Sequence, residues 1–356
     1  MKILFTGGGT MGPVTPLLAV VEAWRKAFPQ DEFVWIGTRS GPERAAVEAA
    51  GIRFLHVPVF RLTRYPSVEW LTLPFAFVGS FLVAWFTLGR ERPDMIASAG
   101  GYTAVPVVLC GWARGIPSWV HQQDARVVLT NRVCAPFAKC VTTAWEHLLS
   151  VLPPTKSKWI GNPVRPSVLE GKRDVAHERL GIDLRYPTVL AFGGGGGASW
   201  INRLMEEIGA TIAEQANVIH ITGRGKRADR LETIHKRYHA VEFLTDDMAH
   251  ALKASTLVVA RAGMGTLTEL AALAKPAILI PIPGSMQEDN IARVRVADAA
   301  VVLAQDATGT GELKRAILEL LADAARQKRL GTNLRRVLPT DVAEEMTRHV
   351  RAHCLK

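Results

Sequence analysis

The sequence predicts an α/β protein of two doubly wound, Rossmann-like domains in tandem, facing a cleft. Three observations predict it. Short apolar strands alternate with helical stretches, the pattern of parallel sheets. A strand–glycine loop–helix opening occurs twice, from Lys2 and again from Thr188. Between the two, the alternation breaks at Leu152-Pro153-Pro154 and Gly161-Asn162-Pro163. A length of 356 residues suits two domains at about 100–200 residues each.

Taken in order, Lys2–Thr6 reads as a buried strand, Gly7–Gly12 as a loop and Pro16–Phe28 as a helix. Glu32–Gly37 is a second strand and Gly41–Ala50 a second helix. Strands follow at Met95–Ser98, Ser118–His121 and Val141–Thr143, with helices between. After the break, Thr188–Phe192 is an apolar strand, Gly193–Gly197 a loop and Ser199–Ala213 a helix. Further strands are expected at Val218–Thr222, Val241–Leu244, Leu257–Ala260 and Ala277–Pro281. Doubly wound domains bind ligands at the carboxyl ends of their strands.

Composition narrows the class. Apolar residues are 48% and charged residues 21%, which supplies real cores and excludes a disordered chain. Cys110, Cys134, Cys140 and Cys354 are scattered without a C-x-x-C pair. No disulfide framework and no cysteine-built zinc site is expected, and a reducing compartment fits. No signal peptide is visible, because Gly7-Gly8-Gly9 ends the first apolar run too early. The net charge of +10 asks for an acidic partner: nucleic acid, anionic lipid or a phosphorylated substrate. Basic residues do not interleave with aromatics, which argues against nucleic acid.

One segment stands apart. Trp70–Gly89 holds no charged residue. Pro74 is best placed in the first turn of a helix, leaving Phe75–Leu88, about 21 Å at 1.5 Å per residue. That is short of a hydrocarbon core of about 30 Å. Phe75, Val78, Phe81, Leu82 and Trp85 belong to more apolar surface than one sheet face buries, and arginines flank the segment. The expectation is a helix lying on a membrane surface, with a buried or oligomer helix and a true membrane span as the other readings.

Four sites carry candidate chemistry. Gly7–Pro13 lies between a strand and a helix, so its N–H groups can face an anion; a tight turn reads the same. Gly193–Gly197 pays backbone entropy that close approach to a ligand explains, unless it is a flexible turn. Arg261–Leu270 follows a strand: Gly263 and Gly265 free the backbone, Thr266 and Thr268 add hydroxyls, and Glu269 can accept two ribose hydroxyls. Helix capping is the other reading there. Gln287, Glu288, Asp289 and Asn290 offer amides and carboxylates to sugar hydroxyls, or simply start a helix. No metal-binding motif is present, so no metal is expected.

Several ordered motifs together resemble the MurG family. They are GGGTMGPVTPLLA at 7–19, GGYTAVP at 100–106, HQQDARVVLTN at 121–131, GNPVR at 161–165, GGGGGA at 193–198, DDMAHAL at 246–252, RAGMGTLTELAAL at 261–273 and QEDN at 287–290. The resemblance implies the GT-B fold, with residues 1–163 and a returning helix in 340–356 forming an acceptor and membrane domain, and 164–339 a UDP-sugar domain. It implies an inverting transfer of N-acetylglucosamine from UDP-GlcNAc to the undecaprenyl-diphosphate-linked muramyl peptide lipid I, giving lipid II for peptidoglycan. The location implied is peripheral, on the cytoplasmic face of the cell membrane, against an anionic surface.

Residue by residue, the resemblance assigns the diphosphate to Gly263, Met264, Gly265, Thr266, Leu267 and Thr268, and the ribose to Glu269. It assigns uracil to Thr245, the sugar to Gln287 with Asn290 beside it, the nucleotide-sugar to Arg165, and N-terminal contacts to Thr10, Met11 and Gly12. Three departures stand out. Pro13 replaces the family's loop histidine, Gly195 replaces a serine and Asp124 replaces an asparagine. Proline cannot act as a base, so Asp124 becomes the candidate base, with a helix N-cap or nucleotide contact as its alternative. Pro13 also leaves open a transferase for another membrane lipid, or an inactive UDP-sugar-binding scaffold.

Overall fold

The computed structural model describes residues 1–58, 73–194, 197–226 and 234–355, with the backbone alone at 73–77. The chain forms two units, Met1–Arg165 with Asp341–Lys356, and Pro166–Thr340.

The first unit runs β1 (Lys2–Thr6), α1 (Thr15–Ala27), β2 (Glu32–Gly37), α2 (Glu43–Ala49), β3 (Arg53–His56), α3 (Leu73–Glu91), β4 (Met95–Ser98), α4 (Ala104–Ala113), β5 (Ser118–Gln122), α5 (Leu129–Cys134), β6 (Cys140–Thr143) and β7 (Ser157–Trp159). Its sheet has the order β3-β2-β1-β4-β5-β6-β7, all parallel. Ile3, Phe5, Trp24, Trp35 and Trp119 are fully buried in its core. Each such side chain contributes about 1.5–3 kcal/mol.

The second unit runs α6 (Pro166–Leu169), α7 (Arg173–Leu180), β8 (Thr188–Phe192), α8 (Ser199–Ala213), β9 (Asn217–Ile221), β10 (Tyr238–Val241), α9 (Met248–Ala254), β11 (Leu257–Ala260), α10 (Met264–Ala272), β12 (Ala277–Leu279), α11 (Met286–Val296), β13 (Val301–Val302), α12 (Thr310–Ala322) and α13 (Ala324–Val337). Its parallel sheet has the order β10-β9-β8-β11-β12-β13. In both units the strand order reverses beside the first strand. The glycine loops after β1, β4, β8 and β11 therefore sit at the two switch points, where such sheets take ligands.

The chain then re-enters the first unit as α14 (Ala343–Cys354). Met346, Val350 and Cys354 enter the first unit's core, and Arg351 bonds Asp31 at 2.6 Å while lying over Phe28. The cysteine expectation is corrected here. Cys140 on β6 and Cys354 on α14 form a disulfide, with Cα atoms 5.8 Å apart. Cys110 and Cys134 remain thiols, and burial pushes Cys134 up to about 12.

Helix α3 inverts the usual amphipathic plan. Its inward stripe is Ser80, Ala84, Leu88 and Glu91. Its large apolar residues face out: Phe86 is 71% exposed, Val78 57% and Leu82 53%. Ser80 and Ala84, small inward residues, let α3 pack closely on α4, and the bulky side chains of that stretch face outward. Among the described residues, no helix is long and apolar enough to cross a membrane.

Candidate functional site

The second unit presents hydrogen-bond donors. Beyond β11 the backbone turns into α10, whose N-cap is Gly263. No side chain caps that end, and a Cβ at Gly263 or Gly265 would meet nothing within 4 Å. The first-turn N–H groups therefore face open space, with the positive end of the helix dipole behind them. Met264 and Leu267 point into the core, so only their backbone is available. Thr266 is half-buried at the opening. Thr268 is not a free hydroxyl there: it is buried and donates back to the Met264 carbonyl at 2.7 Å. Glu269 is half-buried one turn in.

Three side chains hold this loop in place. Gln287 Oε1 accepts from Ala262 N at 3.2 Å and Ile282 N at 3.1 Å, tying the ends of β11 and β12 together. Asn290 is fully buried and donates to the Ala262 carbonyl at 3.4 Å. Its expected place among sugar contacts is corrected: it supports the loop from beneath. Arg261 is the third. It is buried, donates to the Ile280 and Pro281 carbonyls and to Gln305 Oε1, and its Nε finds no partner. Burial pulls its pKa below the usual arginine value. A guanidinium bonded only to neutral acceptors leaves positive potential behind the α10 end.

The five-glycine loop divides by cause. Gly197 has φ +68°, and a Cβ there would stand 2.3 Å from the Thr222 carbonyl, so close packing alone requires glycine. Gly194 faces open space, and Gly195 lies outside the described residues. Beneath the loop, Asn202 donates to the Thr222 carbonyl and bonds His220, which bonds Tyr238. Burial holds His220 near pKa 4, so it is neutral. Thr245 is exposed in the turn before α9, because β10 ends at Val241 rather than running to Leu244.

The first unit is built differently. Gly101 has φ +90°, and a Cβ there would lie 2.8 Å from Gly8 N and O, so the loops after β1 and β4 pack backbone on backbone. The fully buried Glu43 accepts from Gly9 N at 3.2 Å and Thr38 N at 2.7 Å. The N–H of Gly9, expected to face an anion, is therefore already occupied. Thr10 is exposed, Met11 and Gly12 are half-buried, and Pro13 is buried.

Asp124 lies half-buried just past β5. It does not cap a helix, because the N-cap of α5 is Val128. Its loop is pinned by four consecutive carbonyls. Trp145 Nε1 reaches Gln123 O, Gln122 Nε2 reaches Asp124 O and Arg126 O, and His147 Nε2 bonds Ala125 O, all at 2.8–2.9 Å. Beneath it, His121 is fully buried between Thr142 and Asn162; burial outweighs those hydrogen bonds and holds it at about 4. Arg165 is half-buried in the loop before α6. Among the described residues, no group of three or more His, Cys, Asp or Glu side chains is placed to hold a metal.

Outside these loops, α3 and α4 enclose an apolar groove of about 540 Å³ lined by Val78, Phe81, Leu82, Trp85, Trp112 and Phe137, among others. Arg114 stacks on Trp85 at 4.0 Å. The side chain of Phe75 lies outside the described residues.

Residues 3–143 match the glycosyltransferase family 28 N-terminal domain and residues 188–346 its C-terminal domain. A Nocardioides protein named UDP-N-acetylglucosamine–N-acetylmuramyl-(pentapeptide) pyrophosphoryl-undecaprenol N-acetylglucosamine transferase is 32% identical over 98% of this chain and 97% of its own. A protein of that name from Clostridium kluyveri is 32% identical over 79% of each chain. The solved structure of Acinetobacter baumannii MurG superposes with a TM-score of 0.75 at 21% identity, over 99% of each chain. A UDP-GlcNAc 2-epimerase from Neisseria meningitidis, bound to UDP-GlcNAc, gives 0.71 at 15% identity, over 99% of this chain and 100% of that one. The fold is GT-B, and with a relative above 30% identity along nearly its whole length, the chain belongs to the MurG family of N-acetylglucosamine transferases.

Proposed function

We propose that this protein transfers N-acetylglucosamine from UDP-N-acetylglucosamine to the undecaprenyl-diphosphate-linked muramyl peptide lipid I, forming lipid II in peptidoglycan synthesis. The observation that carries the reading is the whole-length match to transferases of that name. The uncapped α10 end supports it physically, as a seat for the donor's diphosphate. An acceptor hydroxyl attacks the anomeric carbon opposite UDP. The carbon–oxygen bond to UDP breaks with its electron pair, so configuration inverts. Charge developing on the leaving diphosphate meets the N–H groups of 264–266 and the potential of Arg261, and the reading needs no metal for this step. The acceptor's proton passes to the Asp124 carboxylate, since Pro13 has no group to receive it. Glu269 receives the ribose hydroxyls, Thr245 stands at the uracil and the Gln287 amide N–H meets the sugar.

The reading includes attachment to an anionic membrane at the cytoplasmic face. Its support is the outward row Val78, Leu82, Trp85 and Phe86 beside exposed Arg90 on the same helix. Replacing Trp85 and Phe86 by Ser is expected to release the protein from anionic vesicles; undiminished sedimentation would place the attachment elsewhere. The activity is tested by UDP release from the purified protein, offered lipid I and diacylglycerol separately. Release with lipid I alone supports the proposal. Release with diacylglycerol alone would make it a transferase of another lipid, and release with neither, despite UDP-GlcNAc binding, a membrane scaffold.

A further inference from the structure

Helix α14 carries two histidines one turn apart, His349 and His353, which takes no part in the chemistry proposed above. Their rings stack, with centroids 4.3 Å apart and planes at 29°. His349 is half-buried and His353 exposed. His353 Nδ1–H donates to the His349 carbonyl at 2.9 Å. A carbonyl only accepts, so the neutral His353 ring carries its proton on Nδ1 and its lone pair on Nε2. Among the described residues, the His349 ring nitrogens make no hydrogen bond. The nearest cation on the neighbouring strand β7, Lys158, is paired with Glu345 one turn before His349, at 2.9 Å. Its charge is thus balanced beside the two rings.

Two imidazoles four residues apart on one helix are a chelating pair. Metal–nitrogen bonds of about 2.0–2.1 Å place two such nitrogens about 3.3 Å apart at the tetrahedral angle. Rings with centroids 4.3 Å apart reach that by small side-chain rotations that turn their edges to one ion. The Nδ1–H bond to a backbone carbonyl at His353 is the contact that fixes tautomer and orientation in a metal-ligating histidine. We propose that His349 and His353 form a surface site for one divalent transition-metal ion of the class imidazole prefers, zinc, nickel or copper, with water completing the coordination. Magnesium and calcium do not suit it, because they take oxygen donors. The ion clips the last turn of α14, beside Cys354 in the first unit's core. The H-x-x-x-H spacing alone does not distinguish this pair from an ordinary helix face; the stacked rings and the fixed tautomer do.

The test uses the full chain after treatment with a chelator. Zinc and magnesium chlorides are titrated by calorimetry into the unaltered protein, His349→Gln, His353→Gln and, as a control at another exposed histidine, His56→Gln. One zinc ion per chain is expected, with no heat from magnesium. Each substitution in the pair should weaken zinc binding at least about tenfold, and His56→Gln should leave it unchanged. In a parallel copper(II) titration, electron paramagnetic resonance should show two nitrogen ligands in the unaltered protein and one in each variant of the pair. An unaltered protein that binds no zinc at millimolar concentration overturns the proposal. Equal affinity in the unaltered protein and both variants also overturns it, and would leave the pair as ring stacking alone. So does a loss in only one of the two variants, which would place the ion in another ligand set. His353 is exposed, so its replacement leaves folding intact, and His353→Gln decides if His349→Gln does not fold.

Discussion

The two glycine-loop edges share one plan, strand–loop–helix at a switch point, and differ in hydrogen-bond polarity. At the second unit's edge the α10 N–H groups are uncapped, Gly263 and Gly265 face open space, and a buried arginine lies behind them. At the first unit's edge the buried Glu43 carboxylate accepts from the Gly9 N–H, and the Gly8 and Gly101 backbones pack against each other. The same backbone plan thus leaves the helix N–H groups uncapped at one edge and turns a loop N–H inward to a buried carboxylate at the other.

The largest expected effect tests the first unit's side. Asp124→Asn keeps shape and removes the proposed base, so turnover should fall about 100-fold or more while UDP-GlcNAc affinity is kept. Unchanged turnover would remove Asp124 as the base.

Acid tests what the two edges have in common. Each rests on a buried neutral histidine, His121 or His220, held at about 4 against 6.5 for an exposed imidazole. Between those values the unfolded chain binds the extra proton and the folded one does not. Stability is therefore full above about pH 6.5 and lost as pH falls towards 4, by about 3 kcal/mol for each histidine. Urea unfolding at pH 7 and pH 4.5 measures this, and a flat profile for His121→Asn at the first unit's transition would assign the slope. An unaltered protein with no slope would mean that neither site is dry.

Two smaller effects sharpen the donor side. Glu269→Ala should weaken UDP-GlcNAc binding by about 1–3 kcal/mol and leave muramyl peptide binding alone. An unchanged affinity in calorimetry places the ribose elsewhere. Gly263→Ala puts a methyl group into open space at φ −70°, so folding should be untouched while UDP-GlcNAc binds about fivefold more weakly, on the scale of 1 kcal/mol. If donor affinity is unaltered, no ligand approaches that backbone.

Much of this was legible in the sequence. Strands β1, β2, β4, β8 and β11 end where they were expected to, because central parallel strands read as apolar runs closed by a turn or charge. Strands β3, β7 and β13 were not legible: they are short and half-exposed, and no apolar run marks them. The glycine and threonine motifs marked where donors would cluster. They did not separate residues that face the opening from Asn290 and Thr268, which look inward, since one turn of helix decides that. The cysteine pair escaped because residues 214 apart become neighbours only through the fold.

That pair has a topological consequence. The chain leaves the first unit after Arg165 and returns at Asp341, so the entire second unit lies inside the covalent ring closed by Cys140 and Cys354. The second unit is, in effect, an insertion into a molecule whose own two ends are welded. A protease cut anywhere within the ring opens it without dividing the molecule, and the mass in non-reducing conditions stays that of one chain. Only reduction would let the pieces part.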